Sequence, residues 1–346
     1  MDRNLLLSGL LAFAIAIIAT PIVVRYSKRK GFLASINHRS SHDKSVPNTG
    51  GIILYFSVLI PLLLFSDYSV QEDFTLMISA FSVLLITGVI DDFNPLPVIF
   101  KFLGQFIPAI VIVTSINAQE LALPFLHNHI QLPGFFNYIA WIFFIVMTIN
   151  AFNLIDGIDG LAIGMGISGA LFYLIEFISL GVCDMAVFSF ALICALSGLL
   201  FFNFSRTRKI FLGDTGSLFI GGVLVFFALK FINYPDARMP LNHSFFLVFG
   251  SIFIPLADMI RVALERISAG ISPFRADRTH IHHLVLQMSG GNHIKSTTIL
   301  VMIQLLVMFC FIWLARINEA PILLMLLLSL LVYYLVILGI KRKLRS

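Results

Sequence analysis

The sequence predicts an all-α fold: a polytopic membrane helix bundle of about eleven transmembrane helices. Three observations predict it. Hydrophobic residues make up 59% of the 346-residue chain and charged residues 12%, against about 25% charged in a soluble domain. The mean hydropathy is +0.97. The long Leu, Ile, Val and Phe runs, with 35 Phe in all, do not alternate polar and apolar in segments of about ten residues as a membrane β-barrel requires. Backbone hydrogen bonds inside the bilayer must then be made within helices. No repeat, low-complexity tract or soluble domain interrupts the pattern, so residues 1–346 read as a single integral membrane domain.

The apolar segments fall at 5–25, 50–66, 74–90, 100–117, 136–155, 160–180, 185–203, 215–233, 243–263, 296–315 and 321–340. Each approaches the ~20 residues that cross a bilayer. The first has no small-residue cleavage site after it and reads as a retained helix, not a removed signal peptide. The third closes on Asp91-Asp92-Phe-Asn-Pro, which is turn chemistry. The fifth runs into Asn150–Gly160, and glycines there let the backbone turn. The eighth opens on a Gly-Asp-Thr-Gly stretch, with Asp214 or Thr215 as its N-cap. The loop Ala118–Phe135, with Glu120, His127 and His129, reads as a structural cap.

Orientation follows from Lys and Arg. With eleven crossings, 19 of the 23 basic residues lie on one side, from Arg25–Lys30 through Lys101, Arg206–Lys209 and Arg275 to Lys341–Arg345. Arg3, Lys230, Arg238 and Arg316 lie on the other. The first side is therefore the cytoplasm, the N-terminus lies outside and the C-terminus inside. The chain's net charge is +5. The three cysteines, Cys183, Cys194 and Cys310, have no zinc spacing and read as small apolar residues.

Five polar stretches meet that cytoplasmic face. In Asn150–Gly160, two carboxylates follow a long apolar run. A charge at the bilayer centre costs roughly 2.5–3.5 kcal/mol on insertion scales, so Asp156 and Asp159 avoid lipid. Their spacing of three lets Asn153, Asp156 and Asp159 converge on one site. The adjacent carboxylates Asp91 and Asp92 repel and call for a divalent metal, Lys101 or a shifted proton nearby; a solvated turn is the plainer reading. Phe211–Ser217 places Asp214 between glycines at a helix mouth, where an anion is favoured and a carboxylate makes sense with a metal between them. Ser272–His283 carries Arg275, Arg278, His280, His282 and His283, suited to phosphate. It lacks a Cys or acidic partner at zinc spacing. The first loop holds Arg39, His42 and Lys44 before Pro47-Asn-Thr-Gly-Gly. Asp258 and Arg261, three apart, neutralise each other. His38, His243 and His293 read as surface residues.

With these stretches in place, from Asn37 to His283, the chain resembles the polyprenyl-phosphate N-acetylhexosamine-1-phosphate transferases, the MraY-like superfamily, in its WecA/TagO branch. The match includes segment order and the Asn-x-x-Asp-Gly-x-Asp-Gly and His-Ile-His-His forms. Ala34, Ile36 and Ser40 stand where the family often has Asp, Pro and a basic residue. The resemblance implies transfer of a sugar-1-phosphate, with GlcNAc-1-phosphate the default, from a UDP-N-acetylhexosamine to undecaprenyl phosphate with release of UMP. It implies Mg²⁺, with Mn²⁺ as a substitute, held by Asn153 and Asp214. Asp91 and Asp92 become catalytic. Lys101, Asp156, Asp159, Asn203, Arg275, His280, His282 and His283 become substrate-binding. It places the protein in the bacterial inner membrane, in a cell-surface glycan pathway. Nucleic acid has no place in it. A transporter or lipid flippase with an acidic intramembrane site is the alternative; it would put its carboxylates near the midplane and show inverted repeats.

Overall fold

The computed structural model describes residues 3–31, 46–66, 72–116, 134–234, 241–273, 275, 278–315 and 322–345. Arg39, His42 and Lys44, and the 117–133 loop with its Glu120, His127 and His129, lie outside these residues, as do His38 and the side chain of His243. The described residues form thirteen α-helices and no strand. They are α1 (Arg3–Lys30), α2 (Gly50–Phe65), α3 (Glu72–Phe93), α4 (Val98–Ser115), α5 (Gly134–Ile155), α6 (Leu161–Ser179) and α7 (Cys183–Asn203). Then follow α8 (Gly213–Asn233), α9 (Leu241–Ser251), α10 (Phe253–Ser268), α11 (Ile281–Met288), α12 (His293–Ala315) and α13 (Ile322–Arg345). Eight of them, α1, α3 to α8 and α12, are long and apolar enough to cross a membrane; α2 is apolar but only 16 residues long. The chain is an all-α, multi-pass membrane bundle.

Helix α8 is the axis of the bundle. It packs against α2, α3, α5 and α6, and its side chains from Thr215 to Leu229 are buried. Small residues let neighbouring backbones close on its first turn. A side chain at Gly51 of α2 would overlap Thr215 and the Gly216 amide, and one at Gly88 of α3 would overlap the Thr215 backbone. The segment before α2 locks onto the segment before α8. Phe211 donates its N–H to Pro47 O (2.9 Å), and Gly50 and Gly51 donate to Phe211 O (3.0 Å) and Leu212 O (2.9 Å). Three helix ends thus meet at the mouth of α8.

Two sequence expectations change. The ninth segment, expected as one helix over 243–263, is two helices broken at Ile252. Pro255 has no N–H to give Ser251, and its ring crowds that carbonyl. The broken ladder is repaired from α12: Gln304 donates to Gly250 O (2.7 Å) and Ser251 O (3.1 Å) and accepts from the Ile254 N–H (3.0 Å). Such side-chain repair is what an interrupted helix in a membrane requires. The long loop expected at Glu265–Lys295 also contains a helix, α11, with His280 at its N-cap position.

Candidate active site

The mouth of α8 is capped from another helix. Its own N-cap residue is Leu212, which offers no side-chain acceptor. Asp92, in the last turn of α3, supplies the acceptors. Its Oδ1 accepts the Asp214 N–H (2.8 Å) and the Asn48 Nδ2 (2.6 Å). Its Oδ2 accepts the Thr215 N–H (3.0 Å) and the Thr215 hydroxyl (2.6 Å). A carboxylate is well placed where the helix dipole is positive and N–H groups are orphaned. Gly213 makes room: its φ is +73°, and a Cβ there would overlap the Asp92 carboxylate and the Asn48 amide. Neither Asp214 nor Thr215 is the N-cap, as the sequence had suggested, because both are already inside the helix and donate to Asp92.

With its backbone held, Asp214 turns its carboxylate outward. Lys101, in the first turn of α4, bridges Asp214 Oδ2 and Asp91 Oδ2, at 2.6 Å to each. Asp91 also accepts the Leu96 N–H at 2.7 Å. Asn153, near the end of α5, donates to Asp214 Oδ1 (2.7 Å) and to Ser217 Oγ (3.0 Å). The Asp214 side chain stays 34% exposed while that of Asp91 is 7% exposed.

Beyond Asn153 the chain leaves the helix at Ile155 and turns through 156–160. The spacing of three therefore brings Asn153 and Asp156 towards the Asp214 cluster but sends Asp159 elsewhere. Asp156 has no side-chain hydrogen bond or ion pair among the described residues. Burial, and then repulsion from Asp214, Asp92 and Asp159, pushes its carboxyl well above the usual carboxylate range. Asp159 is paired instead. Lys209 Nζ lies 2.5 Å from its carboxylate, and His293 Nδ1 lies 3.3 Å from the same carboxylate and 3.2 Å from the Asp159 backbone N. Thr297, one turn into α12, donates to its carbonyl at 2.6 Å. Burial opposes ionisation of Asp159, but His293 and Lys209 outweigh it and hold the carboxyl below its ordinary value.

A cavity of about 660 Å³ opens beside Asp159. Lys28 from α1, Arg206 and Lys209 from the turn before α8, and His293 make its walls basic, with Gly290 and Gly291 at one edge. His293, read from sequence as a surface residue, belongs to this site; its partner lies 134 residues away, so no local signal marked it. Lys209 and Asn48 were missed for the same reason.

The histidine loop closes over the turn. His282 is buried (2% exposed), and its ring leaves no room for a Cβ on Gly157, next to Asp156. Its Nδ1 has no hydrogen-bond partner among the described residues, and burial followed by the neighbouring His283 lowers its basicity well below that of a free imidazole. His283 tilts against it, ring centroids 4.2 Å apart. His280 pairs through Nδ1 with Asp258 at 2.8 Å. Arg275 and Arg278 are exposed and are not drawn into the carboxylate cluster. Asn203, expected to touch substrate, is buried, with both ends of its amide on backbone. It accepts the Gly160 N–H (2.5 Å) and donates to Ile210 O (2.8 Å), clasping the Asp159 turn to the segment before α8. The Asp258–Arg261 pair forms as expected, at 2.7 Å.

The donor chemistry fits a hard divalent cation. Asp91, Asp92, Asp156 and Asp214 share one end of the bundle, and Lys101 is the one cation paired with any of them among the described residues. Among the described residues no three acidic or imidazole side chains cage a metal by themselves.

The sequence has relatives among known proteins. The family described as glycosyl transferase family 4 matches residues 74–232, from α3 through α8. A probable undecaprenyl-phosphate N-acetylglucosaminyl 1-phosphate transferase of Bacillus subtilis is 31% identical over 292 residues, covering 83% of this chain and 78% of that protein. The undecaprenyl-phosphate alpha-N-acetylglucosaminyl 1-phosphate transferase of Yersinia pestis is 29% identical over 83% of this chain and 77% of its own. The decaprenyl-phosphate N-acetylglucosaminephosphotransferase of Mycobacterium leprae is 31% identical over 84% and 79%. Identity at this level over most of both chains means that the chain belongs to the polyprenyl-phosphate N-acetylhexosamine-1-phosphate transferase family.

Proposed function

We propose that this protein transfers GlcNAc-1-phosphate from UDP-GlcNAc to undecaprenyl phosphate, releasing UMP, at the cytoplasmic face of a bacterial plasma membrane. The observation that carries the reading is the Asp91–Lys101–Asp214 bridge beside Asn153 and Asp156, which has no side-chain partner among the described residues. A carboxylate-rich centre at helix ends, next to a basic cavity, suits a diphosphate nucleotide on one side and a lipid phosphate on the other. The excess of basic residues on the loops that carry this site supports a cytoplasmic location, with the N-terminus outside.

Both reactants are anions, so the chief barrier is electrostatic, and the site must place positive charge where negative charge develops. Asn153 and Asp214 would hold Mg²⁺, which when bound supplies charge neutralisation across the diphosphate and a better UMP leaving group. The chain does the rest. An oxygen of undecaprenyl phosphate attacks the phosphorus bearing the sugar; the bond to the bridging oxygen breaks and UMP departs with that electron pair. The acceptor's second pKa is near ~6, so it arrives largely ionised and no strong base is needed. Asp91 orients the acceptor or takes its last proton. Lys101, held between Asp91 and Asp214, is within reach of either phosphate. Lys209 and His293 line the cavity where the nucleotide sits, and the Asp159 turn forms its wall.

The test is direct. Purified protein with undecaprenyl phosphate, Mg²⁺ and a panel of UDP-sugars is expected to release UMP with UDP-GlcNAc and to form a lipid-linked sugar diphosphate. Folded protein that releases no UMP from any member of the panel overturns the reading.

A further inference from the structure

Away from the carboxylate cluster, one buried carboxylate ties three elements together. Asp258 of α10 is 1% exposed. Its Oδ1 accepts from Arg261 Nη2 (2.7 Å), the Ile281 N–H (3.1 Å) and the Tyr333 hydroxyl (3.1 Å). Its Oδ2 faces His280 Nδ1 at 2.8 Å. The partners lie on α10 itself, at the start of α11 and on α13. Arg261 continues the network to Thr279 O (2.7 Å) and Glu265 (2.9 Å), and Lys341 of α13 holds Glu265 at 2.7 Å.

Two consequences follow from the chemistry. A carboxylate beside Nδ1 selects the imidazole tautomer that carries its proton there, which leaves Nε2 as the nitrogen free to act; a histidine so oriented keeps one ring direction. The same carboxylate accepts the Ile281 N–H, so it caps α11, whose own N-cap side chain forms no cap bond. Capping α11 fixes His282, the next residue, with its ring against Gly157 beside Asp156.

We infer that Asp258, with Tyr333 behind it, is a positioning residue for the transfer: it sets the tautomer of His280 and seats the histidine loop on the 156–160 turn. Helix α13 is then part of the active-site frame, although it lies outside the 74–232 family match. The activity arm of this inference rests on the transferase reading; its tautomer arm does not.

The full-length protein in nanodiscs serves for the test. Tyr333→Phe removes one hydroxyl and keeps the ring that packs against Phe253, so it leaves the fold intact where Asp258→Asn can loosen it. With UDP-GlcNAc and undecaprenyl phosphate, Asp258→Asn is expected to lower kcat by roughly 10–100-fold, the range for groups that orient a working histidine. Tyr333→Phe lowers kcat less, with an unchanged Tm. On a His280→Ala background both substitutions cost less than in the native protein, because one of the groups they position is gone. Ring ¹⁵N shifts of His280, assigned by its loss in His280→Gln, are expected to show the Nδ1–H form in the native protein and a mixture in Asp258→Asn. Losses that multiply fully with His280→Ala, or an Nε2–H tautomer in the native protein, overturn the inference. If the native protein releases no UMP, the transferase reading fails, and the tautomer result still decides the role of Asp258.

Discussion

Asp92 accepts two hydrogen bonds from Thr215, one from its backbone N–H at 3.0 Å and one from its hydroxyl at 2.6 Å. With the Asp214 N–H and Asn48 on the other oxygen, the carboxylate is fully occupied in holding the start of α8. Its effect on chemistry is then expected to run through Asp214. Asp92→Ala is expected to lower stability by about 1–3 kcal/mol, the sum of a lost cap and stranded donors, and to abolish turnover. Asp92→Asn keeps an acceptor and is expected to retain part of both. Thermal unfolding and UMP release on the two variants check this; equal loss of activity with native stability would mean that Asp92 reacts directly. Incubation with labelled UDP-sugar alone is likewise expected to leave no aspartyl-phosphate on Asp92.

Asp156 faces three other carboxylates without a cation of its own among the described residues, and its carboxyl is held well above the usual range. An acid whose folded pKa is raised costs stability once it ionises. Metal-free protein should therefore lose stability as pH rises from the ordinary carboxylate range towards that higher value. Asp156→Asn is expected to flatten this dependence and to raise the metal-free Tm at neutral pH. Added Mg²⁺ should raise the Tm of the native protein and do little for Asp214→Asn, which should also show no turnover. Differential scanning fluorimetry across pH and Mg²⁺ concentration reads both effects.

Asp159 has the opposite sign. Lys209 and His293 hold its folded pKa below the ordinary value, so its contribution is complete above the ordinary carboxylate range. It is lost as pH falls through the lower folded value. Asp159→Asn is expected to cost about 1–3 kcal/mol at neutral pH, as for a hydrogen-bonded charge, and to remove this acid-side loss. Lys209→Met should reproduce most of the effect in urea unfolding at pH 7, and raise KM for the UDP-sugar if the basic cavity receives it.

A Cβ on Gly157 would occupy the space of the His282 ring. Gly157→Ala is expected to displace the histidine loop at a cost of about 1–3 kcal/mol, typical of overpacking, and to reduce turnover sharply while helix content by circular dichroism stays unchanged. Activity at the native level would separate His282 from the site.

Some of this was legible before any coordinates. The apolar runs and the absence of alternation specify a helical membrane bundle, and the polar breaks mark helix ends. Asp91, Asp92, Lys101, Asn153, Asp156 and Asp214 stand out because carboxylates and amides are costly beside lipid. The break at Ile252 was not legible from Pro255 alone, because a membrane helix tolerates proline when a neighbour repairs it, and Gln304 lies 50 residues beyond Ile254, whose N–H it accepts. His293 and Lys209 carried no signal, since a lone basic residue at a helix end reads the same whether it faces water or Asp159.

By itself, then, the sequence determined the solvent each segment prefers and which polar residues had to be gathered out of it, because hydropathy and charge cost are properties of single residues. Which carboxylate does what was decided only by the tertiary structure. Asp91 and Asp92 are neighbours of identical type. The close approach of α2, α3 and α8, made possible by Gly51 and Gly88, gives Asp92 to a helix terminus and Asp91 to Lys101. Three residues apart in sequence, Asp156 and Asp159 differ because one is left among like charges and the other meets Lys209 and His293. Those roles depend on partners brought from tens of residues away, and only the packed bundle brings them.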